Sequence, residues 1–151
     1  MHIVLVEPEI PPNTGNISRL CAGSNTTLHL IKPLGFKIDD YHLRRAGLDY
    51  WEHVDMKIWE SYAAFAVATA EKRKWYFTTK TERRYTDVQY TKDDYLIFGK
   101  ETKGLPEDIL NQYPEQCVTI PINKGHVRSI NLSNSVAIAL YEALRQNSFE
   151  I

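Results

Sequence analysis

Apolar positions along the chain follow two rhythms. Short, nearly continuous runs occupy His2–Val6, Leu28–Ile31, Trp75–Thr79, Tyr95–Phe98 and Cys117–Ile122. Runs of this length, bounded by turn residues, predict buried strands. Val54–Ile58 is a weaker run and predicts a short edge strand. Between these runs lie stretches at helical spacing. Ile17–Ser24 predicts a short helix, with Leu20 and Cys21 following Ile17 at i+3 and i+4 and Arg19 on a different face. Ser61–Ala70 is Ala-rich and runs into Lys72, Arg73 and Lys74, which suit a helix C-terminus. Pro106 marks a helix start, with Ile109 and Leu110 on the apolar side. In the last stretch Leu132, Val136, Ala139, Leu140, Ala143 and Leu144 keep strict helical spacing. Ala137 and Ile138 widen that stripe, which predicts a helix buried on more than one side. Asn131 or Ser129 can cap it.

The connections read as follows. Pro8, Pro11 and Pro12 stop the first strand, and Asn13–Asn16 is turn chemistry with Gly15 free to take positive φ. Pro33 ends the second strand. Phe36–Tyr50 is a connection with a helical turn at Tyr41–Ala46 stopped by Gly47. Thr81–Gln89 is a polar loop, and Gly99–Gly104 is the turn after its strand. Strands and helices alternate, which argues an α/β fold with a mostly parallel sheet flanked by helices. With 151 residues, no internal repeat and no linker-like tract, one domain over residues 1–151 is expected.

Composition narrows the class. An apolar fraction of 43% and a charged fraction of 25% are ordinary for a soluble globular protein. A net charge of −1 does not announce a nucleic-acid partner. Locally, Arg44 with Arg45, Lys72–Lys74, Lys80 with Arg83 and Arg84, and Lys124 with Arg128 could gather into a basic patch, or stay separate solvated faces. Cys21 and Cys117 sit far apart inside apolar patterns, as reduced core residues of a cytoplasmic protein do. No signal peptide and no apolar run long enough to span a bilayer is visible.

Three strand ends carry polar, turn-forming residues: Asn13–Arg19, Gly99–Gly104 and the loop reaching Ser129. Loops of this kind lie on one edge of a parallel sheet, where α/β proteins bind ligands. Their convergence would bring Arg19, Glu101, Ser129 and Asn131 together; the plainer reading is that they cap helices and turn the chain. Several classes are excluded. Gly99–Gly104 is followed by Leu105 and Pro106 rather than the Lys and hydroxyl of a phosphate loop, and no Gly-x-Gly-x-x-Gly follows a strand. His2, His29, His42, His53 and His126 show no metal-ligand spacing, so no metal is expected. No Ser sits in a nucleophile elbow.

Glu7–Cys21, with Asn13, Asn16 and Arg19, resembles the first signature of the SPOUT methyltransferases of the SpoU/TrmH type. Tyr95–Pro106, with Gly99, Glu101 and Gly104, resembles the second. Ile120–Ile122 and Arg128–Asn134, with the helix after them, resemble the third. Leu43–Tyr50 is similar to the small bacterial subfamily that methylates the 2′-oxygen of the tRNA wobble nucleotide, cytidine or a modified uridine.

The resemblance spans Ile3 to about Arg145 and implies a C-terminal deep trefoil knot, S-adenosylmethionine as cofactor with S-adenosylhomocysteine as product, and a homodimer. It assigns cofactor contacts to Phe77, Thr78, Gly99, Glu101, Ile120, Ile122 and Ser129. It implies Arg19 as the catalytic arginine, Asn13 beside it, Glu101, Ser129 and Asn131 around the reacting centre, and Tyr141 near the dimer interface. tRNA contacts are expected at Arg44, Arg45, Lys80, Arg83 and Arg84. Methylation of another RNA such as rRNA, or a non-catalytic RNA-binding module of the same fold, are the competing expectations.

Overall fold

A computed structural model describes residues 1–38 and 50–151. The helical turn expected at Tyr41–Ala46 lies outside the described residues. Six strands form one parallel sheet: β1 (His2–Val6), β2 (Thr27–Ile31), β3 (Met56–Trp59), β4 (Lys74–Phe77), β5 (Tyr95–Phe98) and β6 (Cys117–Val118). Their spatial order is β3-β2-β1-β5-β4-β6. Among the described residues four α-helices accompany them: α1 (Pro11–Gly23), α2 (Tyr62–Ala68), α3 (Glu107–Gln112) and α4 (Leu132–Gln146).

The period-2 geometry of a strand divides the core into two layers. Ile3 and Leu5 of β1 point to one face, where Leu28, Leu30, Leu96 and Phe98 join Ile17 and Cys21 of α1 and Val136, Ala139, Leu140, Ala143 and Leu144 of α4. Val4 and Val6 point to the other, packed with Ile31, Tyr76 and Ile97 against Phe65 of α2 and Ile109 and Leu110 of α3. A sheet covered on both faces explains why its strands read as unbroken apolar runs.

Three expectations change. Helix α1 starts at Pro11, so Asn13–Asn16 is helical, and Gly15 does not take positive φ. Pro11 and Pro12 occupy the first helical positions, where φ near the proline value is wanted and no N–H is missed. β6 pairs only through Cys117 and Val118, shorter than the run to Ile122. Pro121, without an N–H, suits a chain leaving the sheet there. Helix α4 buries one side rather than several, because Ile138 and Tyr141 are exposed, Tyr141 to 46%.

β3 is an edge strand, as expected. Ser61 caps α2 by accepting from the Ala64 N–H at 3.2 Å. Asn131 caps α4, its Oδ1 accepting from the N–H groups of Ser133 at 2.8 Å and Asn134 at 3.4 Å. Cys21 and Cys117 are free and buried. No helix of the described residues is long and apolar enough to cross a membrane.

Candidate active site

β1 lies between β2 and β5, so successive strands leave it in opposite directions. At such a switch point the loops after neighbouring strands diverge and open a crevice at their carboxyl ends. A cavity of about 470 Å³ lies there. Its walls come from four strand-end segments: Ile10 and Asn13 after β1, Thr78–Lys80 after β4, Gly99–Leu105 after β5, and Thr119 to Ser135 in part after β6. The size falls within the range of roughly 300–1,000 Å³ usual for small-molecule sites.

The floor is aromatic, with Phe77 and Phe98 stacked at 4.6 Å between ring centroids. The β5 loop closes on itself through Gly104 N–H to the Lys100 carbonyl at 2.8 Å. Only a glycine fits at position 99, because a Cβ there would lie 2.0 Å from the Gly104 carbonyl carbon and 2.1 Å from the Leu105 nitrogen. Gly104 itself sits at φ +70°, the left-handed region that favours glycine.

Polar groups on this wall are fixed by one another. Glu101 accepts from the Glu9 N–H at 2.8 Å, the Ile10 N–H at 3.1 Å and the Asn13 amide at 3.2 Å. The Asn13 oxygen accepts from the Asn131 amide at 3.0 Å. Asn131 in turn holds the first turn of α4, so its amide orientation is set from both sides. Hydrogen bonds from the Thr102 hydroxyl and backbone hold the Glu9 carboxyl below its ordinary range. The ion pair with Glu7 at 2.6 Å raises Lys100, and Lys80 at 2.7 Å lowers Glu107.

The cavity lining contains Asn13, Glu101, Ser129 and Asn131, and also Phe77, Thr78, Gly99, Ile120 and Ile122. It does not contain Arg19 or Tyr141. Arg19 lies six positions beyond Asn13 on a helix of about 3.6 residues per turn, which turns it to another face. Its guanidinium sits 4.8 Å over the Tyr50 ring, with an Nη2 to hydroxyl contact of 3.4 Å. Tyr141 is on the exposed side of α4. Within one chain, then, the arginine and the cavity are apart. Lys80 lines the cavity mouth, and Arg83 and Arg84 are exposed beyond it. Arg44 and Arg45 lie outside the described residues. Among the described residues no group of three or more His, Cys, Asp or Glu is placed to hold a metal ion.

A model described as the SpoU rRNA methylase family matches residues 1–141. The chain belongs to the SpoU methylase family. A tRNA (cytidine(34)-2'-O)-methyltransferase of Methylovorus glucosotrophus (strain SIP3-4) is 51% identical over 148 residues, covering 97% of this chain and 96% of that protein. A solved structure concerned with the 2-OH methylation of C/U34 on tRNA matches with a TM-score of 0.92 and 44% identity, over 97% of this chain and 95% of that one. The SpoU methyltransferase AviRb from Streptomyces viridochromogenes, in complex with AdoMet, has the same fold at a TM-score of 0.86 and 20% identity, over 98% of this chain and 58% of that one.

Sequence reasoning passed over Glu9, Thr102 and Lys100, which hold the cavity wall of this SpoU methylase in place. Their local signal is weak. Glu9 sits among prolines like any solvated acid, and its partner lies 93 positions away.

Proposed function

We propose that this protein transfers a methyl group from S-adenosylmethionine to the ribose 2′-oxygen of the wobble nucleotide of tRNA, a cytidine or a modified uridine. The observation that carries this reading is the cavity at the carboxyl edge of β1, β4, β5 and β6, with Asn13, Glu101, Ser129 and Asn131 on its walls. The near-full-length likeness to a tRNA (cytidine(34)-2'-O)-methyltransferase supports the substrate.

The residues fit the cofactor. Phe77 and Phe98 offer an aromatic surface, Ile120 and Ile122 offer backbone donors and acceptors for an adenine edge, and Gly99 leaves backbone exposed to the cavity. Bound there, S-adenosylmethionine supplies an electrophilic methyl on a sulfonium and leaves as S-adenosylhomocysteine. Displacement requires sulfur, carbon and oxygen in line, so positioning supplies much of the rate. Asn13 and Asn131, locked to each other, keep the wall facing the reacting centre rigid. Ser129 is exposed at the same wall and is free to meet a ribose or phosphate oxygen.

Arg19 polarises the 2′-hydroxyl and holds an adjacent phosphate; a guanidinium stays charged at neutral pH and serves as donor rather than base, so the hydroxyl proton passes to solvent water as the oxygen–carbon bond forms and the carbon–sulfur bond breaks. Because Arg19 is outside the cavity of its own chain, the reading requires a homodimer in which it serves the partner's cavity. The exposed Ile138 and Tyr141 on α4 supply apolar surface for such an interface. Lys80, Arg83 and Arg84, with Arg44 and Arg45, contact tRNA phosphates across the dimer, in the cytoplasm.

We also infer that residues 1–151 are one domain with a C-terminal trefoil knot. Segment Cys117–Thr119 is hydrogen-bonded on one side to β4 and Thr78 and on the other to Arg83 and Tyr85, both parts of one earlier loop. Farther along, Gln146 and Asn147 bond to Val88 and Tyr90 of that same loop. A late segment enclosed by an earlier one supports threading, a rare exception to ordinary topology.

Mass spectrometry of anticodon loops from cells with and without the gene tests the substrate. Loss of one 2′-O-methyl at the wobble position is expected; an unchanged anticodon loop with a methyl lost from rRNA would move the activity to that RNA. Arg19→Ala is expected to lower transfer by on the order of 10²–10³-fold, the scale of losing one donor to developing charge. Near-normal methylation by that variant would remove Arg19 from the mechanism.

A further inference from the structure

The loops after β1 and β5 grip each other through three carboxylates. Glu7 pairs with Lys100 at 2.6 Å. Glu9 accepts from the Thr102 N–H at 3.1 Å and from its hydroxyl at 2.8 Å. Glu101 accepts from the N–H groups of Glu9 and Ile10. Glu9 and Glu101 therefore each hold the backbone of the loop that carries the other. The exchange also completes α1. That helix has no side-chain cap from its own N-cap residue, Ile10. The Glu101 carboxylate, 91 positions away, instead accepts from the N–H of Ile10 itself, satisfying a free donor at the end of the helix that favours negative charge. Glu7 sits at φ 53°, left-handed backbone that a residue with a Cβ rarely adopts. Its N–H to the Ile31 carbonyl at 2.9 Å and its ion pair hold it there.

Resting on the methyltransferase reading, we propose that Glu9 is a positioning residue for methyl transfer. Acting through Thr102 and Glu101, it clasps the cavity wall to the start of α1. The clasp fixes the Asn13 amide and, through it, Asn131 at the head of α4. Glu101, with three donors on its two oxygens, is a brace in this arrangement rather than the group that receives the substrate's proton.

The test uses the full chain, tRNA and S-adenosylmethionine. Glu9→Ala is expected to lower the single-turnover rate at saturating substrates by about 10–100-fold, since small misplacements of reacting groups act at that scale. The KM for tRNA should stay within about twofold, because the clasp positions and does not bind RNA. Glu9→Gln, which keeps an acceptor oxygen, should recover most of the rate. Thr102→Val should slow the wild type severalfold yet add nothing in the Glu9→Ala background, as for two ends of one interaction.

Amide hydrogen exchange reads the clasp without activity. Segments 9–13 and 99–104 should exchange faster in Glu9→Ala while the interior of α4 does not change. A wild type that fails to methylate tRNA overturns the functional reading and leaves this readout in place. If α4 also exchanges faster, Glu9→Ala has lost its fold, and Thr102→Val carries the same comparison, with Glu9→Gln as the near-wild-type reference. A Glu9→Ala rate within about twofold of wild type, independent effects of the two substitutions, or unchanged exchange at 99–104 would each overturn the proposal.

Discussion

The two ends of the sheet each fix a carboxylate but surround it differently. At the amino end, Asp94 is 1% exposed and accepts five hydrogen bonds: two from Arg73, one from Trp75, and two from Thr91. The donors close around it and tie the starts of β4 and β5 together. At the carboxyl end, Glu101 accepts three, also from fixed groups, but beside a cavity of about 470 Å³. A satisfied carboxylate is common to both ends. What distinguishes the carboxyl end is unfilled space bounded by donors and acceptors that cannot relax into it, which is the arrangement ligand sites need.

That contrast breaks most directly at Asp94. Asp94→Ala leaves the half-buried Trp75 N–H without its acceptor and releases the solvent-exposed Arg73 guanidinium, and should cost about 2–3 kcal/mol of stability, the scale of hydrogen bonds to a charged group. Denaturant unfolding checks this; donor affinity of the protein that remains folded should not change. A smaller loss is expected from Glu101→Ala, which should lower methyl transfer by on the order of 10²-fold through misplacement of the wall. Its stability loss should be only about 1–2 kcal/mol, the scale of satisfying a helix-end donor. Equal stability losses from the two variants would dissolve the distinction between the ends.

A third prediction concerns pH. The Trp59 indole can only donate, and its contact with His29 Nδ1 at 3.0 Å makes that nitrogen an acceptor. The His29 proton therefore sits on Nε2 and is given to His2 Nδ1 at 3.1 Å. Burial lowers both imidazoles to about 4. The native state thus binds fewer protons than the unfolded one between the ordinary histidine value and about 4. Stability from this pair is complete above about 6.5 and falls as pH drops toward 4. Burial pushes the Asp94 carboxyl up, but the bonds from Arg73, Thr91 and Trp75 outweigh it and leave the group below its ordinary value. Its share of the stability is present above the ordinary carboxylate value and is lost in stronger acid. Unfolding free energies measured across this range should decline already in the histidine window, and His2→Phe should flatten that part of the curve.

Much of the fold was legible because its strands and α4 declare themselves by local pattern. His2–Val6 and Tyr95–Phe98 match their apolar runs, and the stripe from Leu132 to Leu144 matches the buried side of α4. The start of α1 was not legible. Asn13–Asn16 has turn composition, and what makes it helical is a pair of prolines together with a distant acceptor, Glu101, for the Ile10 N–H. Of the four residues that strand-end reasoning expected together, Glu101, Ser129 and Asn131 do share one cavity, and Asn13 lines it with them. Arg19 does not join them within the chain, because helical phase carries it to another face. Glu9 and Thr102 stayed hidden because a contact 93 positions long leaves no periodic trace.

The most direct test of the account is a calorimetric titration of S-adenosylmethionine into the wild-type protein and Gly99→Ala. The added Cβ would meet the Gly104 carbonyl carbon at 2.0 Å, so the loop has to open and the cavity wall is lost. The account predicts one donor site per wild-type chain and no measurable binding to a folded Gly99→Ala. Undiminished binding to that variant would place the donor elsewhere and contradict the assignment of this cavity.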